Sequence, residues 1–323
     1  MEQKLQANCE QFILNRDLVK KTRKMCGIYL PPVCAHLFCT QGKTVDEERL
    51  KACLELIKKR TGVFSNFRGT MELAFACMLS LEEEPETALE KALSAYGLLK
   101  KEFMTSPYLP LAAFLLKDET DMASLVTRGR EIYQTMCKEH PFLTSTEDSV
   151  FAVMMAFSDK DNQTLIEEME ACYTLLKKDF PYSNSVQTVS HVLAISEGTP
   201  AEKAGKLIEL FETLKKSGLK YGKYYELPTL AALSTMPVDV RQMAMDMLDV
   251  DTWLSQQKGY GFWGMAKSTQ LMHAAMILAN AYAGNSSLDT AALNGTLTMV
   301  ISQQMATMAA IASTNAAMAA ANN

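Results

Sequence analysis

The sequence is short of the residues that punctuate β structure. Ten prolines and fifteen glycines are few for 323 residues, and apolar positions recur at spacings of three and four instead of alternating, so no strand is expected. Paired cysteine spacing is missing as well. The eight cysteines (Cys9, Cys26, Cys34, Cys39, Cys53, Cys77, Cys137 and Cys172) form no CxxC pair and sit mostly within apolar runs. Such scatter excludes a disulfide framework and reads as thiols of a reducing compartment. The opening MEQKLQANCEQF lacks a basic segment followed by an apolar one, so no secretory signal is expected and the location is expected to be cytoplasmic. There is no basic excess either. A net charge of -5 and a pI near 5.6 give no cationic field for a polyanion, and nucleic acid is not an expected partner.

Catalytic signatures are equally scarce: no HExxH, no Walker loop, no nucleophile elbow and no glycine fingerprint behind a strand. Cys34, His36 and Cys39 invite a metal reading, yet on a helix offsets of two and five residues send Cys34 away from the other two. No metal site and no cofactor are expected.

What the chain does have is self-similarity. An amphipathic segment ending in two apolar and two basic residues returns at Leu18-Val19-Lys20-Lys21, Leu56-Ile57-Lys58-Lys59, Leu98-Leu99-Lys100-Lys101, Leu175-Leu176-Lys177-Lys178 and Thr213-Leu214-Lys215-Lys216. Degenerate copies stand at Met136-Cys137-Lys138-Glu139 and Trp253-Leu254-Ser255-Gln256. The spacing is about 39 residues, the length of a two-helix repeat. A second, more apolar phrase follows each copy and aligns His36, Ala74, Ala112, Ala152, His191, Ala231 and His273 at the same period. The expected fold is therefore all-α: seven consecutive helical hairpins forming an α/α superhelix or a closed α/α toroid over residues 1–287. The bases in each last turn suit the negative end of the helix dipole. Thr199-Pro200-Ala201-Glu202 reads as a capping box, and Thr44-Val45-Asp46-Glu47 as the same scheme. Gly62, Gly218 and Gly259 stand where left-handed stops are wanted.

The remainder, residues 288–323, is a different text. No charge occurs from Thr290 to Asn323, and Ala, Met, Ser and Thr dominate. Gln303, Gln304 and Asn315 and the absence of flanking Lys or Arg argue against a bilayer span. An Ala/Met-rich helix that docks or self-associates through small-residue rows is expected, which would make a homo-oligomer.

The stretches inside each hairpin fall at one end of such an array. They carry Phe64, Asn66, Phe67 and Arg68, then Tyr108, then Glu147 and Asp148, then Asn184 and Gln187, then Tyr221, Tyr224 and Glu226, and finally Trp263. With His191 of the aligned row, these are the candidate ligand or partner residues, because aromatic and amide side chains on loops typify recognition surfaces. The competing reading is structural: rings wedged between neighbouring hairpins, caps such as Ser145 with Asp148, and buried histidines.

The phrases GVFSNFRG (62–69), YLPLAA (108–113), EHPFLTSTEDSVFA (139–152), SHVLA (190–194), YGKYYELPTL (221–230) and QKGYGFWG (257–264), with the uncharged tail, give a chain that resembles the bacterial family known as domain of unknown function 4003. The resemblance spans nearly the whole length. It implies a cytoplasmic bacterial protein and supplies no activity, ligand or catalytic residue. The leading expectation is a non-catalytic binding or scaffold module that holds a protein, peptide or small ligand at its loop-rich end or concave face. One alternative is a hydrolase-like acid/base enzyme, with Glu147, Asp148 and Glu226 as its acids, in the cavity of a closed toroid. Another is a self-associating or membrane-peripheral role through the tail.

Overall fold

A computed structural model describes residues 1–24, 26–261 and 264–283. The expected tail helix over 288–323, and with it the self-association it was to mediate, lies outside the described residues. Among those described there are fourteen α-helices and no strand. The chain divides into two compact units, residues 14–157 and residues 158–283 together with 1–13. The first helix, α1 (Gln3–Thr22), contributes to both.

The unit of residues 14–157 continues with α2 (Leu30–Thr40), α3 (Glu47–Arg60), a 3₁₀ turn at Gly69–Met71, α4 (Glu72–Leu81), α5 (Pro85–Glu102), α6 (Leu109–Leu116), α7 (Met122–Glu139) and α8 (Asp148–Met155). Sequential partners pack as α3 on α4, α5 on α6 and α7 on α8, while α3, α5 and α7 form one layer and α6 and α8 part of a second. The other unit holds α9 (Asn162–Leu176), α10 (Ser183–Ala194), α11 (Pro200–Lys216), α12 (Leu227–Thr235), α13 (Val240–Ser255) and α14 (Lys267–Ala283). Here α9, α11 and α13 pack as one layer and α10, α12 and α14 as the other.

The layers differ because their sequences do. Odd-numbered helices bury one stripe, such as Ala204, Leu207, Phe211 and Leu214 of α11, and leave Lys215 and Lys216 outside. Even-numbered helices are buried almost throughout and, α14 apart, short; the whole aligned row of His36, Ala74, Ala112, Ala152, His191, Ala231 and His273 is inaccessible. Prolines serve as helix starters in both layers, with Pro at the first or second position of α2, α5, α6, α11 and α12.

Start and stop signals are partly as expected. Thr199 and Glu202 form the capping box of α11, and Gly218 and Gly259 adopt positive φ. Gly62 does not: α3 ends on an extended Thr61, so no left-handed residue is needed. At the start of α3 the cap is Asp46, not Thr44, its carboxylate accepting from the Glu48 and Arg49 amides at 3.0 Å each.

Four of the even helices end on cations. Arg49 donates to the carbonyls of Ser80 and Glu83 at the end of α4 (both 2.9 Å), Arg128 to Ala156 after α8 (3.0 Å), and Lys206 to Met236 after α12 (2.6 Å). Lys160 reaches Ala194 and Ser196 at the end of α10 (2.8 and 2.9 Å). Each ties a helix C-terminus, whose last carbonyls have no partner within the helix, to the odd-numbered layer.

Candidate functional site

Where α3 ends, the polypeptide turns over Gly62–Ser65, closed by the Ser65 amide on the Gly62 carbonyl at 3.0 Å. Val63 and Phe64 occupy the centre of that turn and are 75% and 100% exposed. A few residues on, the chain dives inward. Phe67 is fully buried, its ring against Phe75, Tyr96 and Phe114 at centroid distances of 5.5, 5.3 and 6.2 Å. Asn66 donates to the Tyr96 hydroxyl at 2.8 Å. Arg68 folds back over the end of α3, bonding the Lys58 carbonyl, the Thr61 carbonyl at 2.6 Å and the Thr61 hydroxyl at 3.1 Å. Of this group only Phe64 is a surface residue; Asn66, Phe67 and Arg68 build the loop.

The next loop repeats the plan. Phe103 is buried and packs edge-on to Tyr133 of α7 at 5.8 Å, while Met104 is 77% exposed. In the third, a turn over His140–Leu143, closed at 3.1 Å, presents Phe142 at its centre, 98% exposed. Ile28 is an exposed apolar residue of the α1–α2 loop. These loops are neighbours. Arg23 pairs with Glu72, the α3–α4 loop leans on Tyr96 in the C-terminal half of α5, and the α5–α6 loop leans on Tyr133 in that of α7. One end of this unit therefore carries a row of bare apolar tips.

Three of these tips follow a basic last turn, whereas before Phe142 helix α7 ends on Lys138-Glu139. Lys20, Lys21 and Lys24 precede Ile28, Lys58, Lys59 and Arg60 precede Phe64, and Lys100 and Lys101 precede Met104; all are exposed. Several are paired, Lys58 with Glu55 at 2.7 Å on its own helix, Lys21 with Glu47 of α3 at 2.7 Å and Arg60 with Glu86 and Glu90 of α5. The connections before α5 and α7 hold an acidic excess, Glu82, Glu83 and Glu84 and then Asp118, Glu119 and Asp121 with Lys117 among them, while Glu47 at the start of α3 is the partner of Lys21. The modest net charge conceals this segregation.

Tyr108 and Glu147 meet, and burial together with that carboxylate pushes the Tyr108 phenol up to about 12. Asp148 is buried, and burial raises its carboxyl to about 6 even though the Ser145 amide donates to it at 2.7 Å. With Glu147 donating its amide to the Ser145 hydroxyl at 3.2 Å, this is the start of α8 closing on itself.

In the other unit Tyr224 and Tyr182 are exposed and stand edge-on with centroids 5.4 Å apart. Lys223 donates to the Asp179 carbonyl at 3.2 Å and lies over Phe180 and Phe211, themselves T-shaped at 5.2 Å. Asn184 is exposed, whereas Gln187 and His191 are buried on α10. Tyr221 is buried with its hydroxyl on the Glu226 carbonyl at 3.2 Å, and Glu226 is buried above Gly222, where a Cβ would collide with its carboxylate at 2.3 Å. His273, buried, shares a 2.8 Å hydrogen bond with the Tyr260 hydroxyl. Trp263 lies outside the described residues.

Sequence reasoning thus selected Phe64 and Tyr224 among the bare tips and missed Ile28, Val63, Met104 and Phe142. The available signal was an apolar residue inside a turn just past a helix end, as in GVFS and HPFL. Among the described residues no three His, Cys, Asp or Glu side chains are grouped to hold a metal ion, and no helix is long and apolar enough to cross a membrane.

The family model described as "Protein of unknown function (DUF4003)" matches residues 17–306. The "Uncharacterized protein YeaA" of Bacillus subtilis (strain 168) is 24% identical over 330 aligned residues, covering 94% of this chain and 98% of that protein. No solved structure matches.

Proposed function

Taking as premise that the chain belongs to the DUF4003 family, we propose that it is a non-catalytic binding or scaffold module whose partner is held by the loop-rich end of a helical-hairpin array. The observation that carries this reading is the exposure of Phe64, Met104 and Phe142 in three successive loops. A solvated Phe side chain forgoes about 1.5–3 kcal/mol available on burial, and apolar tips repeated in register mark interaction surfaces more than chance exposure does. The hairpin repeat, as an open superhelix or a closed toroid, belongs to the same proposal, supported by the two phrases that keep one period. So does a cytoplasmic location, supported by eight free cysteines.

The test is capture by the purified full-length chain and by a variant carrying Phe64→Ser, Met104→Ser, Phe142→Ser and Tyr224→Ser. The variant is expected to keep its helical circular dichroism and lose the captured material. Unchanged capture by a folded variant sinks the reading. Phe67 and Arg68 are unsuitable targets, since one is core and the other caps α3.

A further inference from the structure

We propose that the loop-rich end of the unit formed by residues 14–157 docks on an anionic lipid bilayer surface. This rests on the binding reading above and names the partner. Two independent features coincide there. The apolar tips, Ile28, Val63, Phe64, Met104 and Phe142, stand in separate loops, one or two to each. A protein ligand is usually met by a shaped, well-packed patch, whereas separate apolar tips on one end suit a soft medium that flows around each of them. Insertion of about 5–10 Å, the depth reached by peripheral elements at the acyl boundary, is within reach of one side chain and its turn.

The second feature is charge. The basic last turns of α3 and α5 immediately precede Val63, Phe64 and Met104 in the chain, where they can meet lipid phosphates once the tips enter the acyl boundary. The connections before α5 and α7 carry an acidic excess, Glu82, Glu83 and Glu84 and then Asp118, Glu119 and Asp121 with Lys117 among them, and the first of these lies at the end of α5 opposite Lys100 and Lys101. Orientation follows from that segregation: an anionic surface attracts one end and repels the other. Helix-dipole complementarity explains a base in the last turn; it does not explain why Val63, Phe64 and Met104 are bare beside it. The loops α9–α10 and α11–α12 of the other unit repeat the combination with Lys177 and Lys178 before exposed Tyr182, and Lys215, Lys216 and Lys220 before exposed Tyr224. Tyrosine is a preferred residue of the membrane–water interface.

The experiment is co-sedimentation of the full-length protein with vesicles of phosphatidylglycerol and phosphatidylcholine, against pure phosphatidylcholine. The wild type is expected to sediment with the anionic vesicles only, and to be released at about 0.5 M salt, where the Debye length falls below about 5 Å. Phe64→Ser and Phe142→Ser are each expected to lower the partition coefficient about tenfold, and Lys58→Gln with Lys59→Gln about fivefold per lysine. Met245→Ser, at an exposed apolar position on α13, is expected to change nothing. Because these variants keep residues 284–323, their loss of sedimentation assigns binding to the loops and not to the uncharged tail. Absence of sedimentation, equal sedimentation with neutral vesicles, or wild-type binding by a folded Phe64→Ser/Phe142→Ser variant overturns the proposal. If a protein is captured through the same tips while vesicles are ignored, the membrane fails as partner and the binding module stands.

Discussion

The Phe67 ring stands edge-on to Tyr96, centroids 5.3 Å apart and planes at 84°, three residues from a Phe64 that touches only solvent. One loop thus spends one phenylalanine on packing and leaves another bare. Phe67→Ala is expected to cost about 3–5 kcal/mol, the range for truncating a buried aromatic, and Phe64→Ala less than about 0.5 kcal/mol. Urea midpoints of the two variants check this, and equal costs would contradict the assignment of Phe64 to the surface.

The distinction explains what the sequence could and could not reveal. Helicity and an alternation of half-buried and buried helices were legible because spacing of apolar residues fixes which faces need cover. The fate of individual loop aromatics was not. Phe64 and Phe67 share a residue type and a loop, and their burial depends on Tyr96 and Phe114, which the sequence places 29 and 47 residues beyond Phe67. Asp148 and Glu226 were read as acids for a cleft because residue type is all a sequence offers; a short amide contact and a close glycine make them parts of helix starts. Arg68 read as a recognition residue because nothing local announces that it bends back to cap α3.

Two helical glycines with opposite surroundings give a second prediction. A Cβ at Gly97 of α5 meets nothing within 4 Å, whereas at Gly129 of α7 it comes within 3.0 Å of the Val153 backbone on α8. Gly97→Ala is expected to stabilise by about 0.5–1 kcal/mol through helix propensity. Gly129→Ala is expected to destabilise by about 1 kcal/mol or more, because overpacking against backbone outweighs the same gain. Thermal melts of both variants decide; stabilisation of both would mean that α7 and α8 are not in close contact.

Asp148 predicts a pH dependence. Its carboxyl titrates near 6 in the folded chain against about 3.9 unfolded, so between those values the native state binds more protons. Stability contributed by the protonated form is present below pH 4 and is lost as pH rises to about 6. Asp148→Asn keeps an acceptor for the Ser145 amide and removes the ionisation. Its stability relative to wild type is expected to improve between pH 4 and 6 by up to about 3 kcal/mol, read from urea midpoints across that range. A parallel pair of profiles would contradict a buried carboxyl.

Lys203 has its ammonium buried against Glu168, which Lys160 also reaches at 2.9 Å. Burial lowers the Lys203 pKa. Glu168→Gln strands that charge and is expected to cost about 3–5 kcal/mol, while Glu168→Gln with Lys203→Met recovers most of the loss. A double-mutant cycle measured by denaturation tests it; additive losses would show that the pair does not couple α9 to α11.

The measurement that bears most directly on the binding function is site-specific photo-cross-linking in intact bacterial cells. A benzophenone amino acid replaces Phe64 or Phe142 at the loop-rich end and, in separate strains, exposed Glu83 or Asp118 at the opposite end. Adducts, whether with protein or with lipid, are expected from positions 64 and 142 and not from 83 and 118. Adducts confined to 83 and 118, or none at 64 and 142, would contradict the account.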